Sequence, residues 1–337
     1  MVEWKSCLEA AIAASGRSPA DLSRAAGQHE GWLEHEVLPA ARMAPPEVMA
    51  PLCRLLGLGV EELVGREGED GRGHPFRDSV QDMASARRVP DTPQTRAPAY
   101  RLAFSDAEFL TREELRPVRL QLELLKPQLE MDAAGIEETI VLFGGARIPA
   151  PGQGAGHAPG LVALSPYYEE ARRFAHAMTL RSLASRGRRG VIVTGGGPGV
   201  MEAGNRGAAE AGGRSIGLNI VLPHEQAPNE WVTPELCFNF HYFALRKMHF
   251  LMRASAICVF PGGFGTLDEM FESLTLIQTG RMRRVPFLLF GRAFWEGIVN
   301  WQALADAGTI SPEDLDLFRH VETAEEAIAA IDSWPPS

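Results

Sequence analysis

VIVTGGGPGV (191–200) decides the fold of this chain. Val191, Ile192, Val193 and Thr194 are β-branched and read as a strand. Gly195, Gly196, Gly197 and Gly199 follow at once, and a helical pattern begins at Val200. Glycines let the backbone turn sharply and let a ligand approach the amides closely. The free N–H groups at a helix start carry roughly half a positive charge, which suits a phosphate. A tight turn without a ligand would look the same, and the spacing is not GxGxxG, so the usual dinucleotide fingerprint is not met.

The same design recurs on both sides. TIVLFGGAR (139–147), SIGLNIVL (215–222), AICVFPGG (256–263) and VPFLLFG (285–291) are short apolar runs, most of them ending in glycine. Helical patterns lie over 166–186, 200–211, 242–254, 266–279 and 294–306. Strands apolar throughout, alternating with helices, predict a parallel sheet covered on both faces. The expected class is α/β: a doubly wound, mostly parallel, Rossmann-like sheet over 135–333, with a small all-α domain at 1–65. Residues 66–105, rich in charge, glycine and proline at their start, read as a linker. Residues 106–134 read as a connecting helix that Pro117 and Pro127 should kink or interrupt. PAPGQGAGHAPG (149–160) reads as a loop.

In such sheets ligands bind at the carboxyl ends of the strands, where the glycines fall. PGGFGTLDE (261–269) is a second candidate anion cradle: Gly262, Gly263 and Gly265 free the backbone, and Thr266 adds a hydroxyl. The loop delivers Asp268 and Glu269 into a first helical turn. Carboxylates are favoured there by the helix dipole, so capping explains either one. Neighbours on a helix point about 100° apart, so both should not face one ligand. Arg246 and Lys247 sit in the otherwise apolar FHYFALRKMHF (240–250). An arginine fork suits phosphate or carboxylate, or orients a ribose hydroxyl; a solvent-facing basic pair is the plain alternative.

Together, FGGAR (143–147), GGGPGVMEAGNRGA (195–208), LPHE (222–225), ALRKM (244–248) and PGGFGTLDE (261–269) resemble the LONELY GUY family of phosphoribohydrolases, often labelled lysine decarboxylases. The resemblance covers about residues 139–330. It implies a Rossmann-like fold, a dimer or higher homo-oligomer and no cofactor. It also implies release of free base and ribose 5-phosphate from a nucleoside 5′-monophosphate, AMP or a cytokinin riboside 5′-monophosphate. By position, Arg246 and Glu269 match the catalytic pair. Glu225, Lys247, the 262–266 loop and Thr275 match substrate contacts. Gly145 stands where many relatives have serine, and residues 149–160 form an insertion.

LEAAIAASGRSPADLSRAAGQHEGWLEHE (8–36) and the segment near 55–63 resemble a helix-turn-helix of the phage-repressor type. The presumed recognition helix, 30–36, carries three glutamates and no Lys or Arg. Residues 1–65 hold five basic and nine acidic residues. DNA binding needs positive charge at the phosphates, so a retired, protein-docking or oligomerising module is expected instead.

The 337 residues carry a formal net charge of −10, which disfavours non-specific attraction to nucleic acid or anionic membrane but allows a local basic pocket. Four well-separated cysteines without a CxxC pair predict reduced thiols in a cytoplasmic protein. No signal peptide or membrane span is predicted. The nine histidines show no metal spacing, so no metal site is expected. A nucleotide-sensing regulator is the alternative function. A pyridoxal-phosphate decarboxylase is disfavoured, because Lys247 already belongs to the Arg-Lys pair.

Overall fold

The computed structural model describes residues 3–38, 46–58, 78–222 and 227–335. The chain divides into two compact units, Met1–Arg112 and Glu113–Ser337.

In the second unit seven strands, all parallel, form one sheet: β1 Thr139–Phe143, β2 Val191–Thr194, β3 Ser215–Ile220, β4 Cys237–Phe240, β5 Ala254–Val259, β6 Phe287–Phe290 and β7 Arg319–Val321. Their order is β4-β3-β2-β1-β5-β6-β7. The chain winds outward from β1 to β4, returns to β5 on the other side of β1, and winds outward again. The topological switch point therefore lies between β1 and β5, where their ends open a crevice.

The expected strands are present; those before 144, 195, 260 and 291 stop where their proline and glycine tails enter the turns, the third ends at Ile220, and the strand expected from Ala256 begins at Ala254. Every residue of β1, β2 and β6 is buried. Alternate side chains feed two cores. Val141, Phe143, Ile257 and Val259 face α1 (Arg116–Ala133), α4 (Phe243–Leu251) and α5 (Phe264–Gln278). Ile140, Leu142, Ala256 and Cys258 face α2 (Ser165–Leu183), α3 (Val200–Glu210) and α8 (Ala324–Asp332).

Several expectations are corrected. The edge strands β4 and β7 and helix α8 were not foreseen. The pattern over 294–306 is two helices, α6 Arg292–Ile298 and α7 Trp301–Asp306, the second capped by the Asn300 side chain. The segment 106–134 holds two short turns and then α1, with Pro117 in its first turn, where no intrahelical donor is needed. Pro127 does not end α1. It has no N–H to give the Glu123 carbonyl, and His249 Nε2 approaches that oxygen at 3.3 Å instead. The Glu123 carboxylate in turn accepts the His241 and Tyr242 amides at the start of α4.

The first unit has helices Glu3–Ser15, Pro19–Ala25 and Pro46–Leu56. Ser18 caps the second helix by accepting from the Asp21 amide, and Gly27 turns with φ of 78°. The helix expected over 30–36 is a five-residue π-helical stretch, Leu33–Val37. Helices Ser79–Ala86 and Pro93–Arg96, without buried side chains, occupy part of the expected linker. Residues 59–77, which hold the end of the expected closing helix and the start of that linker, lie outside the described residues. No described helix is long and apolar enough to cross a membrane.

Candidate active site

Two turns meet at the switch point. After β1 the chain runs through Gly144 and Gly145. The Gly145 amide donates to the Pro261 carbonyl of the turn after β5 at 2.9 Å, and the Gly145 carbonyl accepts from Val200, the first residue of α3, at 3.2 Å. A side chain on Gly144 would put its Cβ 2.5 Å from Val200 Cγ1. The close approach of strand loop and helix therefore requires glycine there.

A cavity of about 620 Å³ opens beside these turns, within the range of small-molecule sites. The β1 loop lines it with residues 144–148, and the turn after β5 with residues 261–266. Arg246 from α4 and Glu269 from α5 complete the polar side, and Met201 from α3, Leu161, Leu164 and Phe294 supply apolar walls. Phe264, at the first position of α5, is 92% exposed.

Arg246 and Glu269 form the buried centre. Arg246 Nη1 donates to Glu269 Oε1 at 3.0 Å, and Nε donates to the Leu218 carbonyl at the end of β3 at 2.7 Å. Arg246 is 8% exposed, and its guanidinium lies 5.0 Å from the centre of the Phe250 ring. Burial pushes the Glu269 carboxyl up to about 7, although the adjacent guanidinium pulls it down. Burial also lowers the pKa of Arg246. An arginine nonetheless stays charged in proteins, so the shift falls on the acid. A carboxyl poised near neutrality can hold or release a proton at working pH.

The remaining expected site residues separate. Gly262, Gly263, Gly265 and Thr266 line the cavity with the pair. Gly195, Gly196, Gly197 and Gly199 do not. Their turn stands behind the arginine: a Cβ on Gly195 would lie 2.5 Å from Arg246 Nη2. A polar network pins this turn. Asn229 Nδ2 donates to the Gly196 and Gly197 carbonyls at 3.0 and 2.9 Å, and to Asn205 Oδ1 at 2.9 Å. Thr194 donates to the same Asn205 oxygen at 2.7 Å and accepts from the Gly196 amide.

Two expected contacts fall elsewhere. Lys247 points away from Arg246, as helix geometry demands of a neighbour, and pairs with Asp268 at 2.7 Å and Glu272 at 2.8 Å. Thr275, about three turns along α5 from the N-terminal end, bonds back to the Phe271 carbonyl and borders a different hollow beside Trp301. Glu225 lies outside the described residues. Conversely, Arg147, Met201, Leu161, Leu164 and Phe294 line the cavity without having been singled out. For Arg147 the signal was present in FGGAR itself. Among the described residues no group of three or more His, Cys, Asp or Glu could hold a metal ion.

Residues 201–331 match the model of the family described as possible lysine decarboxylase. A stretch of 92 residues is 28% identical to a cytokinin riboside 5′-monophosphate phosphoribohydrolase of Arabidopsis thaliana, covering 27% of this chain and 42% of the relative. A protein of the same description from Mycobacterium tuberculosis is 30% identical over 86 residues, 25% of this chain and 46% of the relative. A bifunctional cytokinin biosynthesis protein of Fusarium pseudograminearum is 36% identical over 75 residues, 22% of this chain and 15% of the relative. The matched stretch thus spans less than half the length of these curated relatives. Among solved structures, the molybdenum cofactor binding protein of Rippkaea orientalis is 18% identical with a TM-score of 0.39, covering 58% of this chain and 96% of that one. The family match and the names of the curated relatives support the LONELY GUY resemblance carried by the motifs.

Proposed function

We propose that the α/β unit hydrolyses the N-glycosidic bond of nucleoside 5′-monophosphates, AMP or cytokinin riboside 5′-monophosphates, to free base and ribose 5-phosphate. The observation that carries this reading is the buried Arg246–Glu269 pair, 3.0 Å apart, in the wall of a cavity edged by the two turns of the switch point. The names of the curated relatives support the same reaction.

Breaking the bond between base and C1′ builds positive charge on the ribose, as in glycoside hydrolysis. In its charged form Glu269 stabilises that charge and activates a water. The water oxygen bonds to C1′ as the C1′–N bond breaks and its electron pair leaves with the base. One water proton passes to the Glu269 carboxylate, the base nitrogen takes up a proton from solvent, and Glu269 returns its own to solvent, so that one water is consumed in all. Arg246, fixed by the Leu218 carbonyl, holds the carboxylate in place and keeps part of it ionised despite burial. The 262–266 turn holds the phosphate at the start of α5, so binding energy gained far from C1′ orients the reacting bond.

This reading takes the protein to be a cytoplasmic homo-oligomer acting without a cofactor, with residues 1–65 as a docking or oligomerising module rather than a DNA-binding one. The test is incubation of the purified full chain with a panel of nucleoside monophosphates, with free base followed by chromatography. Release of base and ribose 5-phosphate in equal amounts is expected. No release from any member of the panel refutes the reading.

A further inference from the structure

Resting on the reading of this cavity as a nucleoside monophosphate site, we propose that Arg147 is the side chain that grips the substrate phosphate, leaving Arg246 to serve Glu269. Three observations carry this. The first is charge. Among the described residues, the ionisable side chains lining the cavity are Arg147, Arg246 and Glu269. Arg246 is neutralised by Glu269 at 3.0 Å. Among the described residues Arg147 has neither a hydrogen bond nor an ion pair, so the cavity holds one uncompensated positive charge and no uncompensated negative one.

The second is placement. Arg147 lies two residues beyond Gly145, at most ~7 Å of backbone. Gly145 is itself bonded to Pro261 and Val200, so the Arg147 backbone starts from a fixed point beside the 262–266 turn. The third is direction. Ile148, the next residue, is 2% exposed and anchored in the core, whereas Arg147 is exposed and borders the cavity. A guanidinium there offers a planar fork to two phosphate oxygens, adding a charge to a turn that otherwise offers amides and the Thr266 hydroxyl.

The test uses the full chain as wild type, R147A and R147K, with ribose 5-phosphate and unphosphorylated ribose as calorimetric probes. Hydrolysis of a nucleoside monophosphate is compared with that of the matching nucleoside. Loss of a charged hydrogen-bonding partner predicts ~10–100-fold weaker ribose 5-phosphate binding in R147A. The lysine variant should be intermediate, because it keeps the charge and loses the fork. Ribose binding should not respond. In turnover the loss should appear in kcat/KM, and for the monophosphate but not the nucleoside. R147A that binds ribose 5-phosphate as tightly as wild type, or wild type that does not bind it, overturns the proposal. Arg147-dependent binding of ribose 5-phosphate without any base release would instead refute the hydrolase reading and leave the phosphate grip standing.

Discussion

Replacing Glu269 with glutamine should remove one pH dependence from the stability of this protein. Burial raises the Glu269 carboxyl from an ordinary value of 4.5 to about 7. The folded state then holds a proton that the unfolded chain has released over the interval between those values. Stability rises with pH where the unfolded chain binds more protons, so here it falls, from about pH 4.5 to about pH 7, and is level above. The displacement of two to three pH units corresponds to roughly 3 kcal/mol at 1.36 kcal/mol per unit. Glutamine has no such titration. Its loss of the Arg246 ion pair shifts its stability by an offset but adds no slope in this interval. The assay is equilibrium urea unfolding of both full-length proteins from pH 4.5 to 8, followed by tryptophan fluorescence; Trp295 and Trp301 are buried in the α/β unit. The difference cancels every group the two proteins share. Wild type should lose roughly 3 kcal/mol relative to Glu269→Gln across that range. Parallel curves would show an ordinary, ionised Glu269 and remove the physical basis for its role as a base near neutrality.

Three further outcomes follow from the geometry. Lys247→Met should leave kcat/KM for the monophosphate within about threefold of wild type and cost no more than ~1 kcal/mol in urea unfolding, because the half-buried Lys247 pairs with the solvent-exposed carboxylates of Asp268 and Glu272 and methionine keeps its apolar stem; a hundredfold loss of kcat/KM would contradict this. Asn229→Ala should cost ~1–3 kcal/mol by stranding the Gly197 carbonyl, while the Gly196 carbonyl keeps the Asn229 backbone amide, and should lower kcat as the turn behind Arg246 loosens; full activity would show that this turn does not position the arginine. Gly199→Ala should lose at least ~1–3 kcal/mol, since its φ is 70° and a Cβ would collide with the Gly145 carbonyl; an unchanged unfolding midpoint would contradict the close approach.

The central sheet was legible because β1, β2, β3, β5 and β6 are apolar runs that both cores bury, and the turns after β1, β2 and β5 carry glycine. The edge strands were not. β4 alternates buried and partly exposed residues around Asn239, and β7 is three residues long and carries Arg319 and His320. Neither makes the continuous apolar signal of an interior strand. Within the site, Arg246 and Glu269 were found from their motifs and lie together. Lys247 and Thr275 were carried over on motif position, and helix phase separates both from the cavity: Lys247 is ~100° from Arg246, and Thr275 is ~240° from Glu269. Spacing identifies which residues share a helix, but which face meets a cavity depends on how the helix is docked. The turn at 195–199 was read as a phosphate cradle on glycine content. In the structure it approaches Arg246 instead, a close packing that needs glycine as much as a ligand would.

The most direct test is the release of base itself. Purified wild-type protein and Glu269→Gln are incubated with AMP and with an N6-substituted adenosine 5′-monophosphate, and free base and ribose 5-phosphate are quantified by chromatography. Wild type should release the two products in equal amounts from at least one substrate, and the variant should be slower in kcat by roughly 10²–10⁴. Equal turnover by the two proteins would contradict the assignment of Glu269 and, with it, the account of how this cavity works.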